Sequence, residues 1–421
     1  MPRKKTEKKK PVKMVQRSLL DLLADDSSSA ARDTVRGMLA CRDRKGIGEW
    51  RGLLAVPPGT LAEEIISAFH VGSDIPLEIP FFTMLHWLAG HLLKNDVSLL
   101  LPDGVTPVRT DLWTVLLASS GAGKTFVETH MRAAIGKAET KRIESPLTGI
   151  ASGAAFVDEL ARHNKGLWIR DEFGQFLKQI SKAGGNLEEV KDILLRLHDS
   201  RPIERKTKKY EIVIDDPALA ILGLSVAETF ADQVSPNDMV DGFAQRFGFI
   251  IAQKDPDRPM KDYPLYQIRS AGWAEKWKAL TASIAHEQYT ATPEAIEGYK
   301  TAFTALIPTS HIPPSFYRRI LWRAHKYALV FHILTGRGHE KNLDAQDYGW
   351  AARAASLHIH DAISLLSSHG MGDLERLIQR VEELKLEAAK TGEQLTPRTV
   401  IRRISAVKTA AQARELLLLA E

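Results

Sequence analysis

The run Ala118-Ser119-Ser120-Gly121-Ala122-Gly123-Lys124-Thr125 stands between an apolar stretch that reads as a strand and a segment that reads as a helix. Small residues there let main-chain N–H groups wrap an anion, and the helix that follows points its positive end at it. Lys124 is placed to reach the β- and γ-phosphates of a nucleotide, and the Thr125 hydroxyl to ligate Mg²⁺. Ala118 stands where the first glycine of such a loop usually is. The bland alternative is a tight strand-to-helix turn with a chance Gly-Lys-Thr, and the strand–loop–helix context argues against it.

A second constellation follows 47 residues beyond Lys124, where the apolar Gly166-Leu167-Trp168-Ile169-Arg170 ends in Asp171-Glu172. Nucleotide hydrolysis needs one carboxylate in the Mg²⁺ shell and another to orient the attacking water. Asp171 is assigned the first role and Glu172 the second. Alone, such a pair is commonly just a polar helix start; beside the loop, the catalytic assignment is preferred.

Two more positions fit the same chemistry. Ser225 ends the apolar Ala220–Leu224 run, either as a polar sensor of the γ-phosphate or as a helix N-cap. Arg246, in Asp241-Gly242-Phe243-Ala244-Gln245-Arg246-Phe247, reads as an arginine finger supplied across a subunit boundary, or as half of an internal salt bridge. A basic hairpin is expected at 203–214, with Arg205, Lys206, Lys208 and Lys209 near its tip. These would grip nucleic-acid phosphates or simply solvate an edge.

The elements that must position these groups alternate strand and helix from Leu112 to Ala252, which predicts an α/β fold with a parallel sheet and crossover helices. Five parts are expected: a basic disordered arm (1–35), with Asp25–Ser29 as a loop; an N-terminal helical region (36–100) around an all-apolar helix from Pro80 to Leu93; a P-loop ATPase core (101–256); a helical domain (266–368) acting as a lid; and a helical or winged-helix-like end (369–421). The Pro- and Asp-rich Lys254–Pro264 is the expected linker, and everything beyond it is expected to be helical. Arg398, Arg402 and Arg403 in the last part meet phosphates or face solvent, whereas His325, His332, His358 and His360 read as ordinary helix residues, not metal ligands.

The chain has 421 residues, a net charge of +5 and one cysteine, Cys41. A disulfide framework and a thiolate zinc cluster are thereby excluded. No apolar run approaches the roughly 18 residues of a membrane span, so a cytoplasmic protein without membrane partners is expected. The first 17 residues hold eight Lys and Arg against one Glu, more than the whole net charge, which leaves the body slightly acidic. That arm is expected to be solvated, or to be attracted to polyphosphate by charge alone.

With Asp111-Leu112-Trp113 before the loop, Asp171-Glu172, Asp216-Pro217-Ala218-Leu219 leading into Ile221-Leu222-Gly223, and the Gly242-Phe243-Ala244-Gln245-Arg246-Phe247 element, residues 75–335 resemble a widespread uncharacterised family of P-loop ATPases of phages, plasmids and mobile elements. Its members sit in replication modules and are described as helicase- or primase-helicase-like. The motif order also resembles an AAA+ module and the minichromosome-maintenance helicases, whose finger likewise precedes a Phe. The resemblance implies ATP and Mg²⁺ at an inter-subunit site, a homo-oligomeric ring such as a hexamer, and single-stranded DNA and replication proteins as partners. A helicase loader, a packaging-type ATPase, and a DNA-binding initiator that uses ATP only as a switch stay open beside the helicase.

Overall fold

The computed structural model describes residues 26–420 except 42–49, 106, 148, 207–210, 235–241, 256–257, 264, 308–311, 369–370, 392–394 and 405. The fold is α/β. Four parallel strands form its centre: Trp113–Ala118, Lys165–Arg170, Ala218–Val226 and Gly248–Ile251, here the loop, acid, serine and edge strands. Their spatial order is acid, serine, loop, edge. Trp113 lies beside Ile221, Ile221 beside Trp168, and Thr114 beside Gly248.

Apart from Thr114, Ser225 and the terminal Lys165 and Arg170, these strands are apolar, because both sheet faces are covered. Alternate side chains divide between two cores, as the pleat requires. Leu116, Ala118, Leu167, Ile169 and Leu222 face the helix Glu78–Lys94. Val115, Leu117, Trp168, Ile221 and Phe249 face the side covered by the helices Phe173–Ile180 and Glu188–His198. The helix Glu78–Lys94 is buried all round, in keeping with its apolar composition. Gly90 lets it lie close, since a Cβ there would stand 2.6 Å from that of Leu167. Residues 36–100 are therefore not a region apart: their main helix is one layer of the sheet sandwich.

Three further expectations are corrected. The arm does not run to residue 35, because Asp26–Ala40 is a helix that includes the expected loop residues Asp26–Ser29. Its Ala31 and Val35, one turn apart, are buried against Ala302, Ala345 and Ala352, and Arg32 Nε donates to Glu297 at 2.8 Å. Residues 1–25 lie outside the described residues. The section beyond 264 is not all helical. Gln288–Ala291 and Asn342–Leu343 join Ser98–Leu100 and Pro107–Arg109 in a second sheet, in strands too short to show a period of two. Nor is 254–264 a free linker. Arg258 donates to the carbonyls of Ile75 (2.9 Å), Phe69 (3.2 Å) and Ser73, capping the end of the helix Leu61–Gly72, and Lys261 reaches Val71 O.

Helices Pro314–Leu334 and Ala345–Ser368 pack on each other, the second also on the edge strand and the first on strands of the second sheet. The last three, Met371–Thr391, Pro397–Arg403 and Ala410–Leu419, have their own apolar cluster of Ile378, Val381, Leu384, Val400 and Leu416. Thr396 and Thr409 cap the latter two, as a hydroxyl before each helix predicts. Among the described residues no helix is long and apolar enough to cross a membrane.

Candidate active site

The loop strand ends at Ala118, which is buried and paired with Val226. Its backbone is extended strand with no positive φ, so this position has no need of the usual glycine. Gly121 (φ 75°) and Gly123 (φ 79°) do take the left-handed conformation. Gly123 is also buried, and a Cβ on it would lie 2.6 Å from Ile75 Cδ1. Helix Lys124–Ile135 starts immediately, without a side-chain cap, so its first N–H groups are left for the loop mouth. Ser119, Ser120, Gly121 and Thr125 are exposed there, with Ala122 and Lys124 half-buried.

At the same end of the sheet, the acid strand delivers Asp171 and Glu172, both exposed. Only the serine strand separates them from the loop strand, so the two strand ends stand about 10 Å apart, room for a phosphate chain. Glu172 is left-handed (φ 52°) and stands immediately before the helix Phe173–Ile180, without a capping hydrogen bond from its side chain. Asp171 Oδ1 accepts the Glu172 N–H at 2.9 Å, and Gln175 Nε2 donates to Glu172 Oε2 at 3.0 Å. Ser225, on the serine strand between, is buried, and its Oγ accepts the Gly174 N–H at 3.3 Å. The serine thus does cap a helix, but the one across the sheet, not the helix Ala227–Gln233 that follows it.

Two contributions were missed in the sequence. Glu128, one turn beyond Thr125, is paired with Arg132, which also holds Glu144. Burial pushes its carboxyl up, with Glu144 and Asp171 adding to the effect. Its signal was the Glu128–Arg132 spacing. Beside Ser119–Ala122 opens a cleft of about 370 Å³, walled by Asp74, Pro76, Lys254, Tyr263 and Tyr266. The Tyr266 hydroxyl donates to Asp74, and the Phe126 and Tyr266 rings meet edge-on at 5.2 Å. No local pattern joins residues 74–76 to 254–266.

Arg246 is not at this end. Its short turn, Ala244–Arg246, precedes the edge strand, whose first residue is level with Thr114, so it lies about 20 Å from the loop along the strand direction. Its Nη1 donates to Gly242 O at 2.8 Å, and Nη2 stands 3.5 Å from Asp199 Oδ1. The hydrogen bond from His198, reinforced by Arg246, holds the Asp199 carboxyl down at about 2. The internal pair is present.

The basic hairpin exists as Ile203–Lys206 paired antiparallel with Glu211–Ile214. Arg205 lies 3.5 Å from Glu189, and the exposed Lys206 lies 3.0 Å from Glu211. Lys208 and Lys209 lie outside the described residues, as does Asp241. The buried His325, His332 and His358 bond to Tyr348, Asp347 and Tyr327, as structural histidines do.

Among the described residues no group of three His, Cys, Asp or Glu is gathered for a metal. Mg²⁺ beside a nucleotide asks less, one or two hard oxygens with the phosphates completing the shell, and Thr125 with Asp171 at one end of the sheet fits that demand. The uncapped helix start and the exposed, left-handed Gly121, with open space beside it, likewise fit a polyphosphate. No protein-family model matches the chain, and a search of curated proteins finds no match either.

Proposed function

We propose that the protein is a Mg²⁺-dependent P-loop ATPase of AAA+ type that works as a ring and translocates on, or unwinds, DNA. The observation that carries the ATPase is the meeting of Ser119–Thr125 with Asp171 and Glu172 at one end of a parallel sheet. Main-chain N–H groups of the loop and Lys124 hold the β- and γ-phosphates, and the cleft by Tyr266 takes the nucleoside end. Mg²⁺, when bound by Thr125 and Asp171, offsets phosphate charge. Glu172 leaves Gln175 to orient the attacking water and take its proton. Ser225 keeps the acid turn seated through Gly174.

The ring is supported by the position of Arg246. A charge at the far end of its own sheet cannot reach its own loop; to serve a neighbour's, the guanidinium, 15% exposed here, must turn away from Asp199. The DNA reading is supported by the hairpin carrying Arg205 and Lys206 and by the motif resemblance. Steady-state ATP turnover, with and without single-stranded DNA, is the test. DNA-stimulated turnover that needs Mg²⁺ is expected, and no turnover in either condition would overturn the proposal.

A further inference from the structure

The turn that carries Arg246 is held from behind by one helix, Pro314–Leu334. Ser315 Oγ, whose one proton goes to the Glu415 carboxylate, lies 2.7 Å from Gln245 Oε1, and Arg319 Nη1 donates to that same Gln245 oxygen at 2.8 Å and to Gly242 O at 3.0 Å. Arg323 Nη2 donates to the Arg246 carbonyl at 2.6 Å and to the Gln245 carbonyl at 3.4 Å. One turn further on, Lys326 Nζ lies 3.0 Å from both the carbonyl and the carboxylate of Asp111, at the foot of the loop strand. A single rigid element therefore ties the Arg246 turn to the strand that ends in the loop.

Arg323 is the member that packing alone does not account for. It is 4% exposed, and among the described residues no carboxylate stands within ion-pair distance of its guanidinium. Its Nη1 has no hydrogen-bond partner, and burial lowers its pKa to about 10. Burying an unpaired charge is costly, and the unbranched apolar Met would fill most of the same space without that cost. What a hydrocarbon cannot do is hold two main-chain carbonyls in fixed directions.

We infer that Arg323 is a positioning residue, which fixes the backbone of Gln245 and Arg246 so that the Arg246 guanidinium is carried at the angle a neighbouring subunit's nucleotide requires. The inference rests on the ring ATPase reading. Arg323 touches neither nucleotide nor metal; it acts through Arg246. A misplacement of about 1 Å at a transition-state contact costs about 100-fold in rate, so the role is large enough to measure.

The test compares Arg323→Met, Arg323→Lys and Arg246→Ala in the full chain. Thermal melts and nucleotide binding control for folding, and Arg323→Lys keeps the charge in case the Met variant fails to fold. Both Arg323 variants are expected to bind ATP as wild type does and to lose about 100-fold in kcat with KM unchanged. Mixed with Lys124→Ala subunits, whose Arg246 is intact, they should regain a fraction of turnover, as Arg246→Ala does. Wild-type turnover by the Arg323 variants beside an inactive Arg246→Ala overturns this inference alone. Failure to regain turnover in the mixture does the same, because the defect would then lie in the variant's own nucleotide site. Full turnover by Arg246→Ala removes the finger, and this inference with it.

Discussion

The two ends of the parallel sheet are built on opposite plans. At the end where the strands finish, Lys124 and Thr125 are not fully buried, Asp171 and Glu172 are exposed, and the first N–H groups of the helix Lys124–Ile135 have no side-chain cap. At the end where they begin, Lys326 grips Asp111, Arg323 grips the Gln245 and Arg246 carbonyls, and Arg246 lies beside Asp199. Open polar groups cost little only while water or a ligand can reach them, whereas buried ones are costly unless bonded, as these are except at Arg323 Nη1 and Arg246 Nε. The contrast separates a surface made to receive something from a surface made to keep its shape. On the proposed reading, the second surface of one subunit completes the first surface of the next.

Substitutions at the open end should have the largest effects on turnover and small effects on stability. Lys124→Ala should abolish nucleotide binding or turnover. Glu172→Gln should bind ATP and hydrolyse it about 10²–10⁴-fold more slowly, the usual worth of a positioned base. Binding titrations beside single-turnover rates check both, and a wild-type rate for Glu172→Gln would dissolve the role given to the acid turn. Arg246→Ala sharpens the comparison, because it should bind ATP normally yet lose 10³-fold or more in turnover, recoverable by mixing with Lys124→Ala.

At the closed end, the effect should appear as stability. Lys326→Met strands the buried Asp111 carboxylate and should lower unfolding free energy by about 3–5 kcal/mol in denaturant titrations. ATP affinity of the folded fraction should be unchanged, and an equal loss of affinity would erase the division between the two ends.

Acid should act through the interior too. Burial holds His86, His198 and His325 neutral, with pKa values pushed down from 6.5 to about 4. Below pH 6.5 the unfolded chain binds protons that these folded imidazoles refuse. Their contribution is therefore whole above pH 6.5 and is lost as the pH falls toward 4. For His86, fully buried, this amounts to about 2 kcal/mol between pH 6.5 and 5, and His86→Gln should flatten the measured pH slope by that much.

The smallest effect on basal turnover is expected from Lys206→Ala with Lys208→Ala, since the hairpin is separate from the loop and acid turn. DNA stimulation should fall while DNA-independent hydrolysis survives. Normal stimulation would leave the hairpin a solvated edge.

The layout of the open end was legible in the sequence because its residues are local. Eight consecutive residues define the loop, and an apolar run ending in two acids defines the acid strand. The strands themselves stood out as apolar runs because both faces are buried. The closed end was not legible in this way. Lys326 and Asp111 are 215 positions apart, and Arg323 reads as one more polar residue on an amphipathic helix. The walls of the cleft were hidden for the same reason. Asp74 and Tyr266 are each unremarkable until the segment 254–268 folds back over the helix Leu61–Gly72. Its Pro and Asp content reads as a linker, while the Arg258 side chain that pins it has no periodic signature.

Glu172 carries a longer consequence. A non-glycine residue at φ 52° strains its backbone by about 1–2 kcal/mol, and glycine or asparagine would sit there more comfortably. Replacing Glu172 with Gly should therefore raise the melting temperature while removing the carboxylate. Selection for durability alone would not keep an acid at this position. On the proposed ATPase reading the strain at position 172 is kept for the carboxylate, and a variant with Gly or Asn there should retain the shape and lose the turnover.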